Sequence, residues 1–405
     1  MPAASQTRPS IAWISHGRLY VKRGDAPVQE VESDFARNSL EREMRSSQNN
    51  SWKGRSGVWG SMGMEPPGMA PWENAEARRN IRFTTMAAGD SPEEIYYVLD
   101  MGAVGGLFKQ NLKLDEETRL MHRQGFSARD ISRHPENGEL AVSLMREDGT
   151  VGLSITRHDG LFGRNITLSD SIDEAPSWLR DGTRRIVFQS SAIGRDEHGA
   201  AIGKSTYRVE QVDLETEQIE NLHEEDDFDL LQPRVTDNGT TLFIRRPYKA
   251  DHRKSQTLLE TAQDVIYFPF RLARTFVYFF NFMSMAFTGK PLMNAGGPAP
   301  QQNKNPYLML YGQAVDTRQA MTKQSGKENV KPLVPEEWQL IELSASGETK
   351  ALAENVLCFD CSPAGDVVFT DGRRIYSLGP DGKPQQIAEG DVIEKVILLA
   401  AEDSA

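Results

Sequence analysis

The sequence has 405 residues, a formal net charge of −12 at neutral pH and two cysteines. A chain of this length buries a large core without disulfides or structural metals. The acidic balance argues against a general attraction to phosphate backbones, so we predict no nucleic-acid partner.

The first segments have the pattern of short β-strands. Residues 11–14, 18–22 and 28–32 are rich in β-forming residues and are separated by Gly17 and by Gly24-Asp25. The first ten residues contain no apolar segment typical of a secretory signal, so we expect a cytoplasmic location.

Residues 33–79 interrupt this β pattern and predict an insertion of helix and loop. Ser33 is placed to cap a helix that continues to Arg45. The following stretch is rich in Gly, Met and Pro. Its polar and aromatic residues predict one of two structures: a ligand-binding loop over one end of the domain, or an insertion whose Trp side chains pack on the body. The candidate ligand-loop residues are Trp52, Lys53, Arg55 and Trp59.

Four later segments repeat one phrase, in which a turn pair is followed by a short β run. The turn pairs are Asn137-Gly138, Asp181-Gly182, Asn238-Gly239 and Ala364-Gly365. A strand–turn–strand unit cannot bury its apolar face alone, so the copies must pack on one another. At roughly 40–45 residues per four-stranded unit there is room for six units, which predicts an all-β, six-bladed β-propeller. Gly182 and Gly239 are expected at positive φ.

The phrase at residues 175–190 resembles the repeat of TolB-like propellers, which is approximately Pro-x-Trp-Ser-Pro-Asp-Gly-x-x-Ile-x-Phe-x-Ser. Leu179-Arg180 replaces its Ser-Pro, and the copy at 358–372 keeps Ser362-Pro363 but has Cys361 at the Trp position. The resemblance implies a propeller fold and leaves function open, because such propellers serve as binding platforms, enzymes and receptor parts. TolB itself is periplasmic, and the absence of a signal-like segment sets this chain apart from it.

The two ends of the chain predict how the domain is closed. The first three strands are one short of a four-stranded blade, and residues 391–399 form a single strand without a hairpin partner. We therefore expect the last strand to complete the first blade, which removes exposed sheet edges. The propeller is predicted to span residues 9–399.

Blade five is interrupted by an insertion at residues 251–337. Within it, residues 265–289 predict an apolar helix, and residues 275–289 carry no charge. The segment is shorter than a clean spanning helix, so attachment in the plane of a membrane fits it best. The alternatives are docking into a partner protein or packing on the propeller itself. The predicted membrane- or partner-binding residues are Phe276, Phe279, Phe280, Phe282, Met283, Phe287, Arg271, Arg274 and Lys290.

No motif for catalysis or for cofactor binding is present in the sequence. Cys358 and Cys361 stand three apart, which places them on opposite faces of a strand, so we predict two reduced thiols and no metal. We expect no cofactor. A metal site at the propeller axis would require acidic residues from distant blades, such as Glu174 and Asp229, to converge.

These patterns predict a non-enzymatic protein-interaction platform at the inner face of the cell membrane, with an unidentified protein partner. The alternative is a soluble, metal-dependent hydrolase similar to lactonases, with its site at the propeller pore.

Overall fold

The computed structural model describes residues 8–50, 81–248, 307–316 and 331–400, apart from single positions at 103, 158, 161, 200, 312 and 380. Within these ranges the chain is built almost entirely from antiparallel strands. The predicted ligand loop (Trp52, Lys53, Arg55 and Trp59) and the predicted apolar helix at 265–289 lie outside the described residues.

The first unit and a helix come from the first fifty residues. The strands of the first unit in this part of the chain are β1 (Ile11–Ser15), β2 (Arg18–Lys22) and β3 (Gln29–Val31). Helix α1 (Asp34–Asn50) follows, and the Ala36 N–H donates to Ser33 Oγ at 3.1 Å, so Ser33 caps the helix as predicted. The Ser33 hydroxyl and the Phe35 N–H both donate to the carboxylate of Glu117, which ties the start of the helix to the second unit.

The second unit is a four-stranded meander. Its strands are β4 (Arg82–Ala88), β5 (Glu94–Asp100), β6 (Val104–Asn111) and β7 (Glu116–Gln124). The sequence pattern did not predict β6, because Gly105-Gly106 weakens its β signal. The structure gives the reason for Gly105: a Cβ there would lie 2.1 Å from the Phe126 carbonyl oxygen, so two backbones approach closely.

The third and fourth units share one nine-stranded sheet. The third unit contains β8 (Ala128–Arg133), β9 (Leu140–Met145), β10 (Val151–Thr156) and β11 (Phe162–Asn165). The fourth contains β12 (Ser171–Trp178), β13 (Arg185–Arg195), β14 (Ala201–Lys204), β15 (Arg208–Asp213) and β16 (Gln218–His223). A single parallel bridge between Val151 and Ile172 joins the two meanders. The stretch from Ile193 to Lys204 forms a hairpin in which β14 pairs with the end of β13.

The fifth and sixth units follow, with a separate hairpin between strands of the fifth. The fifth contains β17 (Phe228–Val235), β18 (Thr241–Pro247), then the hairpin β19 (Tyr307–Leu310) and β20 (Gln313–Asp316), then β21 (Gln339–Leu343) and β22 (Thr349–Ala353). The sixth contains β23 (Cys358–Cys361), β24 (Val367–Thr370), β25 (Arg374–Leu378) and β26 (Pro384–Glu389). The hairpin lies inside the insertion and was not predicted from the sequence.

The last strand, β27 (Ile393–Leu398), returns to the first unit. It pairs antiparallel with β1, with Ile11 opposite Leu398 and Trp13 opposite Val396. The first unit is therefore a four-stranded sheet in the order β27-β1-β2-β3. The predicted pairing of the two end strands is present.

The innermost strands of the units contact one another in succession. These contacts lead from β4 to β8, β12, β17, β23 and β27, and then from β27 back to β4. Apolar clusters fill the spaces between neighbouring units, as in the cluster of Ile14, Leu19, Tyr97 and Phe108 between the first two. Each unit thus covers the apolar face of the next, as the repeat argument requires.

The turns and cysteines agree with the sequence prediction. Gly182 has φ +76° and Gly239 has φ +79°, which glycine adopts without strain. Cys358 and Cys361 are free thiols that pack in different apolar clusters, on opposite faces of β23. Burial raises the pKa of Cys358 to about 11 and that of Cys361 to about 12.

Candidate functional site

Two innermost strands contain the same β-bulge. It falls at Ala175-Pro176 in β12 and at Gln232-Pro233 in β17, where the residue before proline has φ +52° and +54°. A bulge withdraws a backbone group from its ladder and redirects it. The Ala175 N–H donates to Asp130 Oδ2 at 3.2 Å, and the Gln232 N–H donates to Gln189 Oε1 at 2.7 Å. The bulges therefore bond each strand to a side chain of the preceding unit.

Glu174 precedes the first bulge and is fully buried. Arg129 Nη1, from the third unit, lies 2.8 Å from Glu174 Oε1, and the Tyr207 hydroxyl donates to Glu174 Oε2 at 2.8 Å. Gln189 Nε2 donates to the same Oε2 at 3.4 Å. Burial raises the pKa of the Tyr207 hydroxyl well above its usual value, and the Glu174 charge adds to this shift. The tyrosine therefore remains a hydrogen-bond donor to the carboxylate.

Asp229 has the same kind of surroundings at the start of β17. Arg246 Nε and Nη2 both lie 2.9 Å from Asp229 Oδ2, and both side chains are almost completely buried. The Tyr207 N–H donates to Asp229 Oδ1 at 3.0 Å. Tyr207 therefore bonds both acidic residues that the sequence suggested for the pore, through its hydroxyl to one and its backbone to the other.

Further polar contacts continue this network around the innermost strands. Lys395 of β27 donates to the Asp130 carboxylate, to the Arg129 carbonyl oxygen at 2.6 Å and to Thr85 Oγ1 at 3.2 Å. On the other side, Asp360 accepts from the Leu398 N–H at 2.9 Å and from Arg234 Nε at 3.4 Å. Side chains of the third to sixth units and of β27 thus join neighbouring units.

The acidic residues of this network are used within the fold. Glu174 and Asp229 each face an arginine and accept a hydrogen bond from Tyr207. Among the described residues, no group of three or more His, Cys, Asp or Glu side chains is arranged to hold a metal ion. The convergence of carboxylates that a pore metal requires is therefore not formed by the described part of the chain.

The tip of the β19–β20 hairpin reaches this network. Tyr311, the first residue of its two-residue turn, has φ +45°, and its ring lies 6.4 Å from that of Tyr207 in an edge-on arrangement. The pKa of the Tyr311 hydroxyl is raised well above its usual value by burial first, and then by the charges of Asp130 and Glu174. The tip therefore lies beside the acidic network, in contact with Tyr207 of the fourth unit and Arg246 of the fifth.

Two cations bond the backbone of this tip. Arg246 Nη2 donates to the Tyr311 carbonyl oxygen at 2.6 Å, and Lys204 Nζ donates to it at 3.2 Å. Lys204 Nζ also lies 4.1 Å from the centre of the Tyr207 ring. Burial lowers the pKa of Lys204 to about 8, although Asp229 opposes the shift. No sequence pattern predicts this cluster, because its members come from β14, from the end of β18 and from an insertion.

The predicted membrane- or partner-binding residues all lie outside the described residues. They are Phe276, Phe279, Phe280, Phe282, Met283, Phe287, Arg271, Arg274 and Lys290. In the part of the chain that the structure describes, no helix is both long and apolar enough to cross a membrane.

Comparison with known proteins finds similarity at the level of the fold. No protein-family profile matches the sequence, and no curated protein sequence matches it. Among solved structures, TolB from Acinetobacter baumannii is 11% identical, with 96% of this chain and 66% of that chain covered and a TM-score of 0.49. The chain thus spans slightly less than two thirds of that TolB. The fold resembles TolB propellers.

Two other structures extend this comparison. The putative TolB from Agrobacterium tumefaciens is 14% identical, with 74% and 79% of the two chains covered and a TM-score of 0.38. A chain of the nidogen/laminin complex is 6% identical, with 96% and 98% covered and a TM-score of 0.47. At such identities the likeness concerns the β-propeller fold and does not extend to an activity.

Proposed function

We propose that the chain is a closed, six-bladed β-propeller that serves as a non-enzymatic protein-interaction platform. Each of the six units contributes a four-stranded meander, and the contacts of the innermost strands return to their starting point through β27. Pairing of β27 with β1 supports closure of the ring by the two ends of the chain.

One observation carries the non-enzymatic part of the proposal. Glu174 and Asp229 are bonded to Arg129, Arg246 and Tyr207 instead of facing an open space. A catalytic carboxylate needs a free oxygen for substrate, water or metal. These two carboxylates act as links between units, which favours a rigid scaffold.

The alternative function is that of a metal-dependent hydrolase similar to lactonases, with its site at the propeller axis. It requires a divalent cation bound by oxygen ligands from several units. Glu174 and Asp229 would have to exchange their arginine partners for the metal. The loss of two ion pairs whose carboxylates are buried makes this the less favoured proposal.

We place the platform in the cytoplasm, at the inner face of the cell membrane. This part of the proposal rests on the sequence of residues 265–289, in which a window without charge is rich in Phe and is flanked by Arg271, Arg274 and Lys290. The same helix would suit a hydrophobic groove of a partner protein, which is the competing proposal for this segment.

Affinity capture with two forms of the protein tests the platform. The full chain and a chain lacking residues 251–305 serve as baits, and each captured protein is then purified and titrated against both. We expect saturable binding of at least one protein to the full chain. Binding that survives the deletion assigns the partner to the propeller, and binding that is lost assigns it to the insertion. The absence of any saturable partner would contradict the proposed function.

A further inference from the structure

The bonding of the hairpin tip combines a weak acceptor with two strong donors. The Tyr311 carbonyl oxygen receives Arg246 Nη2 at 2.6 Å and Lys204 Nζ at 3.2 Å. A backbone carbonyl carries only a partial negative charge, whereas a carboxylate carries a full charge and forms stronger hydrogen bonds with cations. Two converging cations are the arrangement expected around a carboxylate.

Among the described residues, the cations around this point outnumber the carboxylates that pair with them. Arg246 is paired with Asp229, and Arg129 is paired with Glu174. For Lys204, the Tyr311 carbonyl oxygen is the one hydrogen-bond acceptor among the described residues, and the Tyr207 ring is its other partner. Counted over the described part of the chain, the socket formed by Lys204, Arg246 and Tyr207 therefore has one cation, Lys204, that no carboxylate contacts.

The hairpin that fills the socket is weakly integrated in the domain. Strands β19 and β20 pair with each other and with no other strand of the described ranges. A two-stranded hairpin alone is marginally stable, so its contacts with the body must hold it. Among the described residues, the contacts between hairpin and body are those of Tyr311 and the packing of Val315 in an apolar cluster. The hairpin can leave without breaking any sheet of the six units.

We propose that the socket of Lys204, Arg246 and Tyr207 is a binding site for a peptide carboxylate, and that the hairpin tip occupies it in place of that ligand. The incoming carboxylate takes the position of the Tyr311 carbonyl oxygen and neutralises the excess charge of Lys204. This inference rests on the proposed platform function and names the chemistry of its partner: a polypeptide that presents a carboxylate at its end or on a side chain.

The test replaces residues 307–316 with a Gly-Ser segment of equal length in the full chain. Binding is measured by calorimetry with N-acetyl-diglycine, which has a terminal carboxylate, and with its amide, which has none. We expect the carboxylate to bind the hairpin-replaced protein at least about tenfold more tightly than the amide does. The substitution Lys204→Met in the same background should abolish this preference. Lys22→Met is the matched control, because Lys22 also donates to a backbone carbonyl, that of Ile387, away from the socket.

A third probe, N-acetyl-Asp-Gly-amide, separates a side-chain carboxylate from a terminal one. The proposal would be overturned if the folded, hairpin-replaced protein bound N-acetyl-diglycine and its amide equally well, or bound neither. If the replacement prevents folding, the proposal is tested instead in the unaltered chain, by measuring the rate of hydrogen exchange of the backbone amides of the hairpin. Because the carboxylate displaces the hairpin tip, this exchange should become faster with N-acetyl-diglycine and stay the same with its amide at equal ionic strength. An exchange rate that N-acetyl-diglycine leaves unchanged would overturn the proposal. Partner capture is independent of these results, so the proposed function and this inference fail separately.

Discussion

Arg129 and Glu174 form an ion pair between two neighbouring units, with Nη1 and Oε1 2.8 Å apart and the carboxylate fully buried. Because the Tyr207 hydroxyl shares this carboxylate, the pair also reaches the outer strands of the fourth unit. The acidic side chain that sequence analysis offered as a metal ligand is thus a structural link.

The first prediction concerns that ion pair. Glu174→Gln removes the buried charge that the partly exposed Arg129 faces, and we expect a loss of roughly 1–3 kcal/mol in the free energy of unfolding. The exposed pair Arg164–Glu217 is the control, and Glu217→Gln should cost less than about 1 kcal/mol. Urea denaturation of both variants measures the difference. Equal effects would show that the Glu174 pair contributes no more than a surface contact.

The second prediction concerns the pairing of the chain ends. A chain that ends at Gly390 lacks β27, so β1 keeps β2 but loses its hydrogen-bond partner on the other side, and the apolar contacts of Ile393 and Val396 with Trp13 and Ile11 are lost. We expect a lower melting temperature and concentration-dependent aggregation through the open edge. A chain that ends at Ala400 retains β27 and is the control. An unchanged melting temperature in the shorter chain would contradict closure by this strand.

The third prediction separates backbone strain from steric clash. Gly182 has φ +76°, and a Cβ built there meets no atom within 4 Å. Gly182→Val should therefore cost roughly 1–3 kcal/mol through the backbone alone. Gly203 has equally open surroundings without a positive φ, so Gly203→Val should leave the free energy of unfolding nearly unchanged. Similar losses in both variants would remove the argument from φ.

The fourth prediction follows from the lowered pKa of Lys204, which is about 8 in the folded chain against an ordinary value of 10.5. Between these pH values the unfolded chain binds more protons than the folded chain, so the Lys204 contribution to stability rises with pH across this window. The charged groups around Lys204 are Asp229, Arg246, Glu174 and Arg129.

Denaturation of the wild type and of Lys204→Met at pH 7.5 and 9.5 measures this contribution. The buried cysteines act in the opposite direction, because their folded pKa values of about 11 and 12 lie above the ordinary 9.0. Their effect is common to both proteins and cancels in the difference. We expect the wild type to gain stability relative to the variant as pH rises. No change would show that Lys204 titrates normally, and a relative loss would show that folding raises its pKa; either result contradicts the prediction.

The fifth prediction concerns the segment at 265–289. Phe279→Asp with Phe280→Asp should release the protein from liposomes, since each charge disfavours insertion by roughly 2.5–3.5 kcal/mol at full depth. Flotation of wild type and double variant with anionic liposomes is the measurement, and the melting temperature of the propeller is the control. A wild type without affinity for liposomes would exclude the membrane proposal and leave docking to a partner protein.

The sequence predicted those parts of the fold that depend on local pattern. The turn glycines, the Ser33 cap and the opposite orientation of the two cysteines follow from short-range residue chemistry. The pairing of the first and last strands follows from the number of strands that each repeated unit needs. Strand β6 was not predicted because Gly105 weakens its β signal. The glycine is required there by a close approach of two backbones, which the sequence does not show.

The candidate site was much less predictable. Sequence analysis named Glu174 and Asp229 only as candidate ligands of a metal at the propeller axis. Their actual partners Arg129, Tyr207 and Arg246 come from elsewhere in the chain and have no fixed spacing from them. The contact of Tyr311 with Lys204 and Arg246 joins segments separated by more than sixty residues. Pairings of this kind depend on how the units are arranged around their axis, which the repeat pattern does not specify.

The central claim is that the axial carboxylates serve the scaffold and not a metal. Calorimetric titration of the full chain with Ca²⁺ and Mn²⁺, in parallel with Glu174→Gln, tests it most directly. The account predicts no saturable heat for either ion in either protein. Stoichiometric binding by the wild type that is lost in Glu174→Gln would contradict it and establish the metal-dependent alternative.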